Sequence, residues 1–165
     1  MILVGVLVLA GCAAAPQKEQ AQHGTAATEA VYLAPQDGMA LAADDLAANP
    51  QVLVVHDMDA VKTAGAKEVW IDKACLDTAD GDWLLSLSGV PVVAAGYGDG
   101  LYAFGERLSF PIEMPEGAVA DPEKAGFCVW LKTTDAQGHT NCSMRGGEEL
   151  TVRALSDMCK QMTAA

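Results

Sequence analysis

The sequence predicts an α/β fold, a small three-layer sandwich with a mostly parallel sheet, an antiparallel edge hairpin and a C-terminal helix. Three observations lead to this prediction. Short apolar runs alternate with helical patterns between residues 52 and 108, which is typical of parallel strands joined by right-handed crossovers. Two strand-like segments then flank one turn, and the chain ends in a helical pattern with an apolar stripe.

The first predicted elements belong to the parallel series. Residues 31–33 are predicted to form a short strand, and residues 39–48 a helix that stops at Asn49-Pro50. Apolar runs typical of strands buried on both faces predict three more strands, at residues 52–55, 68–71 and 90–95. The pattern also predicts helices, at residues 58–66, 80–88 and 101–108.

The second half of the chain departs from this alternation. Residues 109–125 contain three prolines and are predicted to be irregular. Residues 127–133 and 139–145 are predicted to pair as the edge hairpin, with Gly146-Gly147 as a hinge. Residues 148–162 are predicted to form the last helix, with acidic residues in its first turn, where they suit the helix macrodipole.

Composition limits the partners of the protein. Residues 31–165 are enough for one domain with one core. The formal net charge is −12, and all 22 acidic and 10 basic residues lie after Cys12. A strongly negative charge disfavours nucleic acid and anionic lipid surfaces as partners. We therefore expect no nucleic-acid partner, and the sequence leaves open which protein or small molecule the domain contacts.

The N-terminal residues resemble an export signal. Residues 2–9 are apolar and uncharged, shorter than the about 20 residues that a membrane span needs but long enough for the apolar part of a secretory signal. The following Leu9-Ala10-Gly11-Cys12 resembles the lipobox of bacterial lipoprotein signals. The resemblance implies that residues 1–11 are a signal peptide, removed by cleavage before Cys12. It also implies that the Cys12 thiol carries a diacylglycerol with acyl chains such as palmitate.

Residues 13–30 are mostly small and polar, and they cannot bury enough apolar surface to offset the entropy of ordering. With Cys12, they predict a lipidated tether over residues 12–30 that joins the membrane to the domain. Ala13, not Asp, follows Cys12. By the lipoprotein resemblance this favours the outer membrane, facing the periplasm, if the source is Gram-negative. We expect a lipid-anchored protein of the bacterial cell envelope, held in the membrane by its acyl chains.

Four cysteines follow the tether, and the predicted export places them where disulfides form. Four cysteines allow three connectivities. The predicted hairpin would place Cys128 opposite or nearly opposite Cys142, which leaves Cys75 to pair with Cys159. A zinc site made of all four thiolates is the alternative, but no Cys-x-x-Cys pair occurs in the sequence.

Polar side chains follow the predicted parallel strands at their carboxyl ends, where open α/β sheets bind ligands. Three strands are followed in turn by His56, Asp57 and Asp59, by Asp72, and by Asp99. If these strands are neighbours, the carboxylates share one rim and could bind Mg²⁺ or Ca²⁺ through oxygen ligands. The alternative is that they cap helices and form turns.

Two family resemblances involve the same carboxylates. Residues 52–61 look like the first motif of haloacid-dehalogenase-type phosphatases, an apolar strand followed by Asp-x-Asp-x-Val. That resemblance implies Asp57 as the nucleophile and Asp59 as the general acid/base, although this chain lacks the family's Ser or Thr after a later strand. Residues 52–57, 70–72 and 91–95 also resemble a response-regulator receiver, which implies Asp72 as phosphoacceptor, but the spacing from Asp57 to Asp72 is shorter than in that family.

Residues 96–100 read G-x-G-x-G, not the dinucleotide-binding G-x-G-x-x-G. We interpret these glycines as permitting a tight strand-to-helix turn, His56 as a hydrogen-bonded structural residue and His139 as a turn residue. These observations favour a non-enzymatic binding or accessory domain without a cofactor. The alternative is a phosphatase-like, metal-dependent hydrolase that uses the rim carboxylates with Mg²⁺ or Ca²⁺.

Overall fold

The six strands form one sheet in the order β2-β1-β3-β4-β5-β6. This architecture comes from a computed structural model, which describes residues 28–113 and 116–165. The predicted signal peptide, Cys12 and most of the predicted tether lie outside the described residues. The strands are β1 (Ala30–Leu33), β2 (Val52–Val55), β3 (Glu68–Asp72), β4 (Val92–Ala95), β5 (Phe127–Thr134) and β6 (Thr140–Gly147).

Strand direction matches the predicted fold class. Strands β1 to β4 run parallel, and β5 and β6 are antiparallel to their neighbours. The parallel strands are short and apolar, and β1, β3 and β4 are buried along their whole length, as expected for strands covered on both faces. The predicted small α/β fold with an antiparallel edge hairpin and a C-terminal helix is confirmed.

Helices cover both faces of the sheet. One face carries α1 (Ala43–Ala48) and α4 (Val152–Thr163), which share a core with Tyr32 and Trp70. The other face carries α2 (Met58–Thr63), a 3₁₀-helix (Lys73–Thr78), α3 (Gly81–Ser86) and a π-helix (Leu101–Arg107). Within the residues that the structure describes, no helix has the length and apolar character of a membrane span.

The strand order creates one point where the chain changes direction across the sheet. From β1 the chain passes over the α1 face to β2, and from β2 it returns over the α2 face to β3. The loops after β1 and β3 therefore leave neighbouring strands towards opposite faces. In open α/β sheets this position is where ligands commonly bind.

Helix α1 begins later than predicted. The pattern predicted a helix over residues 39–48, and the structure has Ala43–Ala48. The backbone N–H of Ala40 donates to Asp72 at 2.7 Å, and that of Leu41 donates to the Tyr32 hydroxyl at 3.4 Å. These contacts hold residues 40 and 41 outside the helix, so a long-range constraint overrides the local periodicity.

Two predictions near the C-terminus are wrong. Gly146-Gly147 is not a hinge, because both residues belong to β6 and pair with Cys128 and Phe127. A Cβ atom on Gly147 would lie 2.5 Å from a ring carbon of Phe127, so the absence of a side chain serves packing. Helix α4 starts at Val152 rather than at residue 148, because Thr151 is its N-cap and accepts from the Ala154 N–H at 3.2 Å.

A buried polar group at the amino ends of the strands ties α4 to the sheet. Glu68 on β3 is 7% exposed and accepts from Trp70 Nε1 at 3.1 Å. The Cys159 thiol of α4 lies close to this carboxylate, and burial raises the pKa of Glu68 above its ordinary value. Glu68 lines a cavity of about 490 Å³ together with Glu29, Lys67 and Lys160.

This burial predicts a pH dependence of stability. Because the pKa of Glu68 is raised in the folded state, the folded protein binds this proton more tightly than the unfolded chain, and stability falls as pH rises above the unfolded value of about 4.3. We expect Glu68→Gln to increase the free energy of unfolding at pH 7, with the gain disappearing near pH 4. Urea denaturation at both pH values measures this.

Glu29→Gln is the matched control, since Glu29 lines the same cavity but is less buried. Its effect on the free energy of unfolding should be small. A gain in Glu68→Gln that is equal at pH 4 and pH 7 would contradict a buried, charged carboxylate.

Candidate functional site

The Asp72 carboxylate lies at the point where the chain changes direction across the sheet. Its side chain is fully buried at the end of β3. Asp72 Oδ1 accepts from the Ala74 N–H at 2.9 Å, and Oδ2 accepts from the Ala40 N–H at 2.7 Å and from the Tyr32 hydroxyl. One carboxylate thus binds β1, the loop after β1 and the 3₁₀-helix after β3.

Tyr32 completes this arrangement from β1. Its ring is fully buried beside Trp70 on the α1 face. Burial raises the pKa of the Tyr32 phenol well above its ordinary value, and the hydrogen bond to Asp72 adds to that shift. The phenol therefore stays protonated and donates. The protein's own side chains fill the position where ligands commonly bind in such sheets.

The other predicted rim carboxylates do not join Asp72. The condition that the strands bearing them are neighbours is not met for β2 and β3, because β1 lies between them. Adjacent strands are about 4.8 Å apart, so Asp57 and Asp59 after β2 are two strand spacings from Asp72. The structure brings no three His, Cys, Asp or Glu side chains of the described residues together as a metal site.

Residues after β2 have structural partners. Asp57 is the N-cap of α2 and accepts from the Ala60 N–H at 2.8 Å, and Asp59 lies in the first turn of that helix. His56 Nδ1 lies 2.8 Å from the Ala34 carbonyl oxygen. These contacts agree with the interpretation of Asp57 as a helix cap and of His56 as a hydrogen-bonded structural residue.

The polar groups of the loop at residues 96–100 are hydrogen-bonded within the protein. The Gly96 N–H donates to Gly126 O at 2.9 Å, and the Gly98 N–H donates to Lys124 O at 2.7 Å. Asp99 accepts from the Leu101 N–H through Oδ1 and from the Asp121 N–H through Oδ2, both at 2.8 Å. Gly96 has a φ of +101°, a conformation that favours glycine. The loop is a tight turn, and its Gly96 and Gly98 amides already donate to carbonyl oxygens of the protein.

The predicted disulfides are not present. Cys75, Cys128, Cys142 and Cys159, all within the described part of the chain, have free thiols. The hairpin itself is confirmed, but its register places Cys128 opposite Gly146 and Cys142 opposite Lys132. Cys75 and Cys159 belong to the cores on opposite faces of the sheet, which the sheet itself separates.

An open cleft lies at the carboxyl end of β4, where the loop after β4 meets the end of β6. Its volume is about 470 Å³. Charged side chains of both signs line it, namely Asp99, Lys124, Arg145 and Glu148. Its floor contains Gly98 and Gly100 together with Cys128 and Met144. Of these residues, sequence analysis singled out only Asp99, the glycines and Cys128.

A signal for Met144 was present in the sequence. Between Thr140 and Arg145, Met144 is a large apolar residue in an otherwise polar or small-residue segment. In a strand, such a residue marks the face that packs on the protein. Lys124 carried no comparable signal, because it lies in the irregular region, and its position at the cleft follows from a long-range backbone contact with Gly98.

A second cluster of polar side chains lies beside this cleft, and its members hydrogen-bond to one another. The Arg107 guanidinium donates from Nε to Asp77 at 2.6 Å, makes a second contact with the same carboxylate, and donates from Nη1 to the hydroxyls of Tyr102 at 3.1 Å and Tyr97 at 3.3 Å. The hydrogen bond from Arg107 lowers the pKa of Asp77. The cluster joins the π-helix to the 3₁₀-helix.

Comparison of the chain with known protein families, curated proteins and solved structures found no match.

The Asp72–Tyr32 contact predicts strong coupling between the two side chains. Hydrogen bonds to charged groups are worth about 1.5–3 kcal/mol, and a buried polar group left without a partner costs more. We expect Asp72→Asn and Tyr32→Phe each to lower the free energy of unfolding by about 2 kcal/mol. The double variant should lose clearly less than the sum of the two. Urea denaturation of the four proteins measures the coupling, and additive losses would contradict a direct buried contact.

The N-cap position of Asp57 predicts a different pattern for that residue. Asn caps helices as well as Asp does, so Asp57→Asn should change the free energy of unfolding by less than about 0.5 kcal/mol, and Asp57→Ala should lower it by about 1 kcal/mol. Since the carboxylates are dispersed, Mg²⁺ or Ca²⁺ should not raise the melting temperature. A rise with Mg²⁺ that Asp57→Asn abolishes would restore the metal-site hypothesis.

Proposed function

We propose that this protein is a lipid-anchored lipoprotein of the bacterial cell envelope, whose α/β domain binds a ligand and catalyses no reaction. The observation that carries the anchor is the motif Leu9-Ala10-Gly11-Cys12 with the polar segment after it. Acylation of Cys12 would place the domain outside the cytosol. In a Gram-negative source it would face the periplasm from the outer membrane.

The contacts of the polar side chains support binding over catalysis. Asp72 and Asp99 accept hydrogen bonds through both carboxylate oxygens, and Asp57 caps α2 through Oδ1; such bonds fix helix starts and loops. A nucleophile or general base needs a free atom directed at a substrate. The cleft at the end of β4, by contrast, is open and lined by charged groups, glycines and sulfur atoms.

The charge of the domain supports a ligand other than nucleic acid. With a net charge of −12, phosphate backbones would be repelled. The cleft itself contains Lys124 and Arg145 as well as Asp99 and Glu148. Its mixed charges favour a small ligand or an ion over a long polyanion.

Lipidation is tested on the protein made in its own cells. Feeding an alkyne-bearing palmitate analogue should label the wild-type protein, and mass spectrometry should find a mature chain that begins at an acylated Cys12. Cys12→Ser should be unlabelled and uncleaved. Cys142→Ser is the matched control, because Cys142 is an exposed thiol far along the chain, and it should label as the wild type does. Unlabelled wild-type protein that retains residues 1–11 would overturn the proposal.

A further inference from the structure

The cleft at the end of β4 contains two sulfur atoms beside one glycine. A Cβ atom on Gly100 would lie 2.7 Å from Cys128 Sγ and 2.1 Å from Met144 Sδ. Because both distances start from the same Cβ position, Cys128 Sγ and Met144 Sδ can be no farther apart than the sum of the two distances. Because both distances are below contact distance for any side chain, only glycine leaves room for the two sulfurs here.

The hairpin register explains why the sulfurs meet. Cys128 on β5 faces Gly146 on β6, and Trp130 faces Met144. Met144 is therefore a diagonal neighbour of Cys128 on the same face, within reach of a long side chain. Gly146 has no side chain, so the Met144 thioether can lie over the Cys128 thiol.

The Cys128 thiol is enclosed and weakly held. The residue is 2% exposed, and its thiol donates to the Arg145 carbonyl oxygen at 3.4 Å. Burial raises the pKa of Cys128 to about 12, and the charge of Asp99 adds to the shift. At neutral pH the group is a neutral thiol that lines the cleft.

We propose that Cys128 and Met144 form a binding site for a soft monovalent metal ion of the Cu(I) class. Thiolate and thioether sulfurs are the ligands that favour Cu(I). A metal–thiolate bond is about 2.3 Å long, so an ion bound to both sulfurs fits within the separation above. This inference names the ligand class of the proposed binding domain and rests on that proposal, but it does not require the lipid anchor.

Binding replaces the thiol proton by the metal. A bond forms between Cys128 Sγ and Cu(I), the S–H bond breaks, and the proton leaves to solvent. Met144 Sδ donates a lone pair and loses nothing, and no electron is transferred. The thiolate and the monovalent ion are neutral together, so the buried site needs no further counter-charge.

A divalent ion fits less well. Zn²⁺ in structural sites takes four ligands, and the structure groups no three His, Cys, Asp or Glu side chains of residues 28–113 and 116–165 around one point. The sulfur pair therefore favours a monovalent ion of low coordination number.

The test is a competition titration of the full chain in detergent, without oxygen, with Cu(I) held by bathocuproine disulfonate. We expect the protein to withdraw one equivalent of Cu(I). Met144→Leu conserves volume and should retain the fold, yet weaken binding by about tenfold or more, since even changes around metal ligands cost about 10–100-fold. Cys128→Ser should abolish binding, and circular dichroism checks that it is folded.

Matched controls come from the same two residue types. Met58→Leu and Cys142→Ser should bind as the wild type does, because neither residue lines the cleft. Trp130, the cross-strand neighbour of Met144, should report binding by a change in fluorescence in all variants except Met144→Leu and Cys128→Ser. Failure to compete, binding that Met144→Leu leaves unchanged, or binding lost in Cys142→Ser would each overturn the metal site while leaving palmitate labelling of Cys12 unaffected.

Discussion

The hydrogen bonds of the buried Asp72 carboxylate connect three segments that are distant in sequence. Tyr32 donates from β1, Ala40 from the loop after β1, and Ala74 from the 3₁₀-helix after β3. A fully buried carboxylate is tolerated only when it is well hydrogen-bonded. Removing any of its donors should therefore lower the free energy of unfolding. The geometry of the chain around β1 and β3 depends on this one group, including the late start of α1.

The same contacts occupy the position between β1 and β3. In open α/β sheets the crevice between strands whose loops diverge is the usual site, and here Asp72, Tyr32 and Ala40 fill it. An open cleft lies further along the sheet, where the tight turn after β4 meets the carboxyl end of β6. That position depends on the antiparallel hairpin, because β6 supplies Met144, Gly146 and Gly147 to the cleft. At the carboxyl ends of the strands, this cleft therefore lies beside the antiparallel hairpin and not between β1 and β3.

The sequence predicted much of the fold because the parallel strands are apolar and short, and such runs have few other interpretations. It did not predict the position of β1 between β2 and β3, since strand order leaves no mark in local patterns. The register of β5 and β6 was also missed. β6 is exposed along most of its length, so it has no hydrophobic alternation to fix pairing. The register therefore differs from the one that spacing suggested, and Cys128 does not lie opposite Cys142. The sequence identified the individual carboxylates at the strand ends. It could not show that β1 separates β2 from β3, which keeps these carboxylates from forming one site.

Native-state amide hydrogen exchange at Ala40 tests the central role of Asp72 most directly, because this amide lies in a loop and donates to the buried carboxylate. We expect Ala40 and Ala74 to exchange as slowly as Ile71 in the buried strand β3, through global rather than local unfolding. Exchange of Ala40 at the rate of Gly38, a residue of the same loop that lies before the contact, would contradict it.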